Sequence, residues 1–158
     1  MKIRNITFGL FAILLLVLVS IPNLKVNAQT KPTEEETLAK YVKEKEPKAI
    51  KTSSGLYYVI ITPGTGEMPK PGQTVTAHYK GTFMDGKVFD EDKGRGFPFP
   101  LGQHHVIAGW DEGFALLKKG TKAKLIIPSK LAYGEMGYSS LIAPNTPLIF
   151  EVELADIK

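Results

Sequence analysis

Between residues 74 and 83 apolar and polar side chains alternate without a break. Val75, Ala77, Tyr79, Gly81 and Phe83 hold the odd positions; Thr74, Thr76, His78, Lys80 and Thr82 hold the even ones. A period of two places one set on the buried face of a β-strand and the other on its wet face. Asp85-Gly86 follows at once and leads into Lys87-Val88-Phe89, the short-range pattern of a hairpin. Further strands are predicted over 56–62, 123–127 and 148–154, the last with Leu148, Phe150, Val152 and Leu154 on one side. Pro63-Gly64, Pro71-Gly72, Lys119-Gly120 and Pro144-Asn145-Thr146-Pro147 separate them.

Two stretches change to helical spacing. Ile107, Trp110, Phe114 and Leu117 share one face, with Asp111, Glu112 and Lys118 on the other. Gly109 and Gly113 weaken that helix, so packing must hold it. Leu38, Tyr41 and Val42 mark a second helix, with Thr33 as N-cap and Glu36 completing a capping box. The sum is an α+β domain over 53–158: an antiparallel sheet of about five strands with one short helix against a face. Residues 29–52 form an acidic and charged spacer whose short helix is expected to be mostly solvated. Three apolar residues make a thin interface, so the spacer is expected to act as a linker and the chain as a monomer.

The first 28 residues carry a different pattern. Lys2 and Arg4 precede an apolar run from Phe8 to Val19, which Pro22 ends; Val26-Asn27-Ala28 then offers small residues at a cleavage site. This predicts a signal peptide over 1–28 and an exported chain, periplasmic or extracellular. The run is shorter than the roughly 20 residues of a membrane-spanning helix. An uncleaved signal anchor is the alternative, and the only route to membrane association.

Composition narrows the function. The chain is 43% hydrophobic and 23% charged, as globular domains are. Its net charge of +4 is concentrated at the start; without the basic residues of 1–28, 17 basic face 16 acidic side chains. A near-neutral remainder gives no electrostatic case for nucleic acid. The absence of cysteine removes disulfides, thiol nucleophiles and a lipidated-cysteine anchor. No Gly-x-Ser-x-Gly elbow, His-Glu-x-x-His pair or phosphate-cradling loop is present, and the adjacent His104 and His105 do not suit one metal ion. What remains is a cluster of aromatic residues with a carboxylate beside it, Phe89-Asp90. On periodicity alone the cluster is either plain core with Asp90 in a turn, or the wall of a binding pocket.

Ordered motifs bear on that choice. His78-Tyr79-x-Gly81, Asp85-Gly86, Val88-Phe89-Asp90, Phe97-Pro98-Phe99, Leu101-Gly102 and Val106-Ile107-x-Gly109-Trp110-x-Glu112-Gly113 are followed by Ile127-Pro128, Ala132-Tyr133-Gly134 and Ile142-x-Pro144-Asn145-x-x-Leu148-x-Phe150-x-Val152-Glu153-Leu154. In this order and spacing they resemble the FKBP-type peptidyl-prolyl cis–trans isomerases over about residues 53–158. The resemblance implies a half-barrel antiparallel sheet wrapped around one short helix, and catalysis of rotation about X–Pro bonds without cofactor or metal. It implies Trp110 as the floor of a proline pocket and Tyr79, Phe89, Phe99, Val106, Ile107 and Phe150 as its walls. Asp90 and Tyr133 would be the polar pair at the rim, and Leu141 and Ile142 part of an overhanging loop. The partners implied are proline-containing polypeptides and macrolide inhibitors of the FK type; the alternative is a proline-segment binding module or chaperone without significant turnover. Three departures stand out. The segment from Phe89 to Phe97 is about two residues shorter than in the best-known members, which bears on whether Arg95 takes the rim arginine's place. Tyr138 stands where the loop tip often carries histidine, and Ser139-Ser140 replaces a more constrained tip.

Overall fold

The structure, a computed structural model, describes residues 31–158. The signal segment read over 1–28 lies outside the described residues. In chain order the elements are α1 (Glu34–Lys45), β1 (Ile50–Lys51), β2 (Tyr57–Thr62), β3 (Thr74–Thr82), β4 (Val88–Glu91), β5 (Phe97–Pro100), α2 (Ala108–Ala115), β6 (Lys122–Ile127), two 3-10 turns (Ser129–Leu131 and Gly134–Met136) and β7 (Leu148–Ile157). The strands form one open antiparallel sheet in the order β1-β2-β6-β7-β3-β4, with β5 paired to β3.

Strand β3 is the hub. β7 pairs with it along one side, from Val75 to Thr82. On its other side β5 takes Thr74 to Ala77 and β4 takes Lys80 to Thr82, so the sheet forks there. The alternation read from the sequence sets the faces: Val75 and Ala77 are buried, as are Leu148, Phe150, Val152 and Leu154 on β7. These side chains join Leu125, Ile127, Trp110, Phe114 and Leu117 in one core. Two strands were not expected, the two-residue β1 and β5. The sequence of β5, Phe97-Pro98-Phe99-Pro100, argues against a strand because proline cannot donate to a ladder. β5 pairs with β3 alone, and a strand with a single partner tolerates the loss of alternate N–H groups.

Helix α2 lies closer to the sheet than ordinary side chains would allow. A Cβ added at Gly113 would stand 2.7 Å from Leu125 Cδ1, and one at Gly109 would overlap the Ile127 side chain. The two glycines, one turn apart, form the flat contact that seats the helix on β6. Gly109→Ala is therefore expected to destabilise the fold by roughly 1–2 kcal/mol: overpacking outweighs the gain in helix propensity. Urea denaturation would reveal the shift in midpoint. Asp111, expected on the solvent side of α2, is buried. Its carboxylate accepts from the Gly102 and His104 N–H groups at 2.8 and 3.0 Å, tying down the loop that enters the helix.

Helix α1 forms where expected and carries the expected capping box between Thr33 and Glu36. Its apolar stripe is not left to solvent, however. Leu38 is 3% exposed and packs on Tyr57, Ile126 and Ile149, with Tyr41 and Val42 beside it. Those three sheet residues lie in register across β2, β6 and β7, on the face turned away from the main core. A free spacer would leave this apolar row in water, so the helix covers it. Glu46 closes the other end on the Lys124 ammonium.

Candidate active site

The inner face of the sheet carries an opening beside α2. There a pocket of about 330 Å³ is lined by Tyr79, Phe89, Asp90, Phe97, His105, Val106, Ile107, Trp110, Tyr133, Tyr138 and Phe150. The volume is at the lower end of those that accept small organic groups. Size alone does not single it out, because a cleft beneath α1 measures about 340 Å³ and an open groove over His78 and Lys122 about 520 Å³. Of the three, this pocket is the one walled mainly by aromatic rings.

Trp110, 5% exposed, is its floor. The rings of Tyr79, Phe97 and Phe150 stand edge-on to the indole, at centroid separations of 5.0, 6.0 and 5.3 Å. Edge-to-face packing satisfies the aromatic quadrupoles. Phe89 closes the side by packing edge-on against Phe150 at 5.5 Å. That meeting needs a glycine on β3: a Cβ at Gly81 would lie 2.6 Å from Phe89 and 2.9 Å from Phe150. The indole Nε1 is buried with no hydrogen-bond partner among the described residues. An orphan donor of this kind costs about 1–3 kcal/mol.

One edge of the pocket is polar. The Tyr79 hydroxyl donates to Asp90 Oδ2 at 2.8 Å, while Asp90 Oδ1 accepts the Glu91 N–H at 2.9 Å. Burial, followed by the hydrogen bond to Asp90 and the Asp90 charge, pushes the Tyr79 phenol up to about 12. It is a fixed donor at any physiological pH. Opposite stands Tyr133, whose phenol is also raised, chiefly by burial. Its ring stacks on Tyr138 at 4.9 Å, at the pocket rim. Ile107 occupies the N-cap position of α2 in an extended conformation, and its N–H has no intramolecular acceptor among the described residues.

The pocket thus gathers Tyr79, Phe89, Asp90, Val106, Ile107, Trp110, Tyr133 and Phe150 from the residues that the sequence proposed. Phe99, Leu141 and Ile142 fall outside its lining. Phe99 is 2% exposed and sits behind the pocket, between Trp110 and Phe114. Phe97, two residues earlier on the same strand face, reaches the opening instead. Ile142 is buried beneath the loop tip, where it forms a bridge with Tyr138, and Leu141 faces Phe83 and Pro147. Tyr138 is the loop's contribution. Arg95 is exposed in the β4–β5 loop and is not part of the lining. Sequence reasoning missed Phe97, His105 and Tyr138 as lining, although it placed Tyr138 at the loop tip. The period of two across Phe97-Pro98-Phe99 carried the signal for the first.

The β4–β5 loop is held at the fork by Asp92. Its N–H donates to the Tyr79 carbonyl, and its carboxylate accepts from the His78 ring and from the Arg95 and Gly96 N–H groups. The His78 hydrogen bond, then the two N–H donors, hold the Asp92 carboxyl below its ordinary 3.8. With the folded value depressed, this contribution to stability is complete above the ordinary carboxylate value. It is lost as the pH falls through the lowered one. Thermal unfolding followed from pH 6 down to about 2 is expected to steepen below about pH 4 in the parent chain, and less so in Asp92→Asn.

The open antiparallel sheet thus carries a pocket walled by aromatic rings, with a hydroxyl–carboxylate pair at its rim. The chain belongs to the FKBP-type peptidyl-prolyl cis–trans isomerase family, whose sequence profile matches residues 65–155. It is 45% identical over 142 residues to the FKBP-type peptidyl-prolyl cis-trans isomerase FkpA of Escherichia coli K12, covering 85% of this chain and 52% of that protein. FK506-binding protein 1 of Debaryomyces hansenii is 48% identical over 101 residues, covering 62% of this chain and 90% of that protein. Among solved structures, FkpA from Escherichia coli superposes with a TM-score of 0.71 at 44% identity, over 79% of this chain and 57% of that one. AtFKBP13 gives 0.67 at 34% identity, over 70% and 99%. The chain spans about half the length of the FkpA protein it matches.

Proposed function

We propose that this chain accelerates cis–trans rotation about X–Pro bonds of exported polypeptides as they fold. The observation that carries the proposal is the aromatic pocket over Trp110, with Asp90 and Tyr79 paired at its edge. An X–Pro amide resists rotation because resonance gives its C–N bond double-bond character, with a barrier of ~18–20 kcal/mol. Resonance also places negative charge on the carbonyl oxygen, which water stabilises. In a dry pocket the planar amide loses that solvation, whereas the twisted amide, with resonance broken, loses less. The proline ring sits on the indole face; the walls exclude water. The Tyr133 hydroxyl and the free Ile107 N–H donate to the carbonyls that flank the turning bond, while Tyr79, its one proton given to Asp90, holds that carboxylate in place. A barrier lowered by about 7 kcal/mol corresponds to roughly a 10⁵-fold acceleration. No proton has to move.

In this reading Asp90, Tyr79 and Phe89 surround the rotating bond and Tyr133 grips a carbonyl beside it in the planar and twisted states alike; Val106, Ile107, Trp110 and Phe150 hold the substrate, with Phe97 taking the place first given to Phe99. FK-type macrolides are expected to compete for the same space. Export to the periplasm or the cell exterior is proposed from the signal-like pattern of residues 1–28. A monomer is proposed because the apolar stripe of α1 is taken up by the sheet of the same chain. The deciding experiment is cis–trans exchange of a proline tetrapeptide with and without the protein. Acceleration at micromolar protein, abolished by an FK-type macrolide, is the expected result. An unchanged exchange rate would remove the enzyme reading and leave a proline-binding module.

A further inference from the structure

The loop that carries Tyr133 and Tyr138 begins at an anchor outside the pocket lining. β6 ends at Ile127, Pro128 follows, and the chain turns into the 3-10 segment Ser129–Leu131. The cap position of that turn is Pro128, which provides no side-chain cap. A carboxylate from the other end of the described chain fills the role. Glu34 Oε1 accepts from the Ser129 N–H and Glu34 Oε2 from the Ser129 hydroxyl, both at 2.6 Å. Ser129 is 4% exposed, so these short charge-assisted bonds are sheltered from water. Downstream two tight turns follow, Ala132 N–H to Ser129 O at 2.9 Å and Gly137 N–H to Tyr133 O at 3.1 Å, and the Asn145 N–H closes the loop back onto Gly134 O at 2.8 Å. Tyr133 lies in the middle of this run, and its ring rests on Tyr138.

We infer that Glu34 is a positioning residue for the pocket rim: α1, docked on the outer face of the sheet, sets the placement of Tyr133 and Tyr138 on the inner side through Ser129. The inference rests on the isomerase reading for its kinetic arm only. Both rim tyrosines contact a bound peptide in the planar and the twisted state alike, so their misplacement weakens binding uniformly and shows in KM. Glu46, which ties the opposite end of α1 to Lys124, provides the control. It anchors the same helix without touching the Ser129 turn.

The test compares Glu34→Ala, Glu34→Gln and Glu46→Ala in the full chain by tetrapeptide kinetics and by NMR of the Tyr133 and Tyr138 ring protons. Glu34→Ala is expected to raise KM about fivefold with kcat within about twofold, and to shift both ring signals. Glu34→Gln keeps an acceptor for the Ser129 N–H and a donor toward its hydroxyl, and is expected to restore both readouts. Glu46→Ala is expected to lower the melting temperature with KM and ring signals unchanged. Equal KM changes in the two alanine variants, or unmoved ring signals in Glu34→Ala, would overturn the inference by reducing Glu34 to a general stabiliser. A parent chain with no turnover would overturn the isomerase reading instead, and the ring signals would then decide the role of Glu34.

Discussion

Asp90→Ala is expected to lower kcat/KM for a proline tetrapeptide by ten- to a hundredfold while the melting temperature moves by only a few degrees. The carboxylate is exposed, and its second oxygen serves only the neighbouring Glu91 N–H, so little of the fold leans on it. Its partner is a different matter. The Tyr79 hydroxyl would lose its charged acceptor, a hydrogen bond of a kind worth about 1.5–3 kcal/mol. At ~1.4 kcal/mol per power of ten, that range sets the expected loss of rate. The phenol would also be free to swing away from the indole. Asp90→Asn keeps an acceptor and is expected to fall between the two. A parent-like rate in Asp90→Ala, measured beside an unchanged thermal melt, would show that the rim pair does not organise the reaction.

Phe150→Ala is expected to cost about 3–5 kcal/mol of stability and to reduce turnover by about a hundredfold or more in the fraction that stays folded. The ring is 5% exposed and meets Tyr79, Phe89 and Trp110 at once. Its loss would leave a void beside the floor that opens onto solvent, and water there would again stabilise the planar amide. Phe150→Leu separates the two effects. Leucine refills most of the volume, so stability is expected to recover further than activity. Denaturant melts and single-temperature kinetics on both variants supply the comparison; activity that simply tracked stability would argue against a desolvation mechanism.

Much of the architecture was legible because β3, β7 and α2 obey simple periods. Period two placed Val75, Ala77, Phe150 and Leu154 inside, and helical spacing placed Trp110 and Phe114 against them. The pocket's polar edge was legible in part: Asp90 and Tyr133, read as the polar pair, both line the pocket, but the hydroxyl that bonds to Asp90 belongs to Tyr79, which was read as a wall. What stayed hidden depends on partners distant in sequence. Asp111 read as a surface residue because nothing local shows that the loop at Gly102 and His104 folds over it. Leu38 looked thinly apolar because its matching row, Tyr57, Ile126 and Ile149, is spread over three strands. Ile142 and Leu141 were adjacent in a loop whose path periodicity cannot trace. There the bridge between Tyr138 and Ile142 turns one side chain inward and presents another at the rim.

The chain has a single tryptophan, and that residue is the pocket floor. Its emission therefore reports one place in the molecule. Shielded indole fluoresces toward the blue, and a guest resting on its face would change both intensity and wavelength. Occupancy and unfolding can thus be followed by light alone, with no label attached, and the two are told apart by the direction in which the spectrum moves.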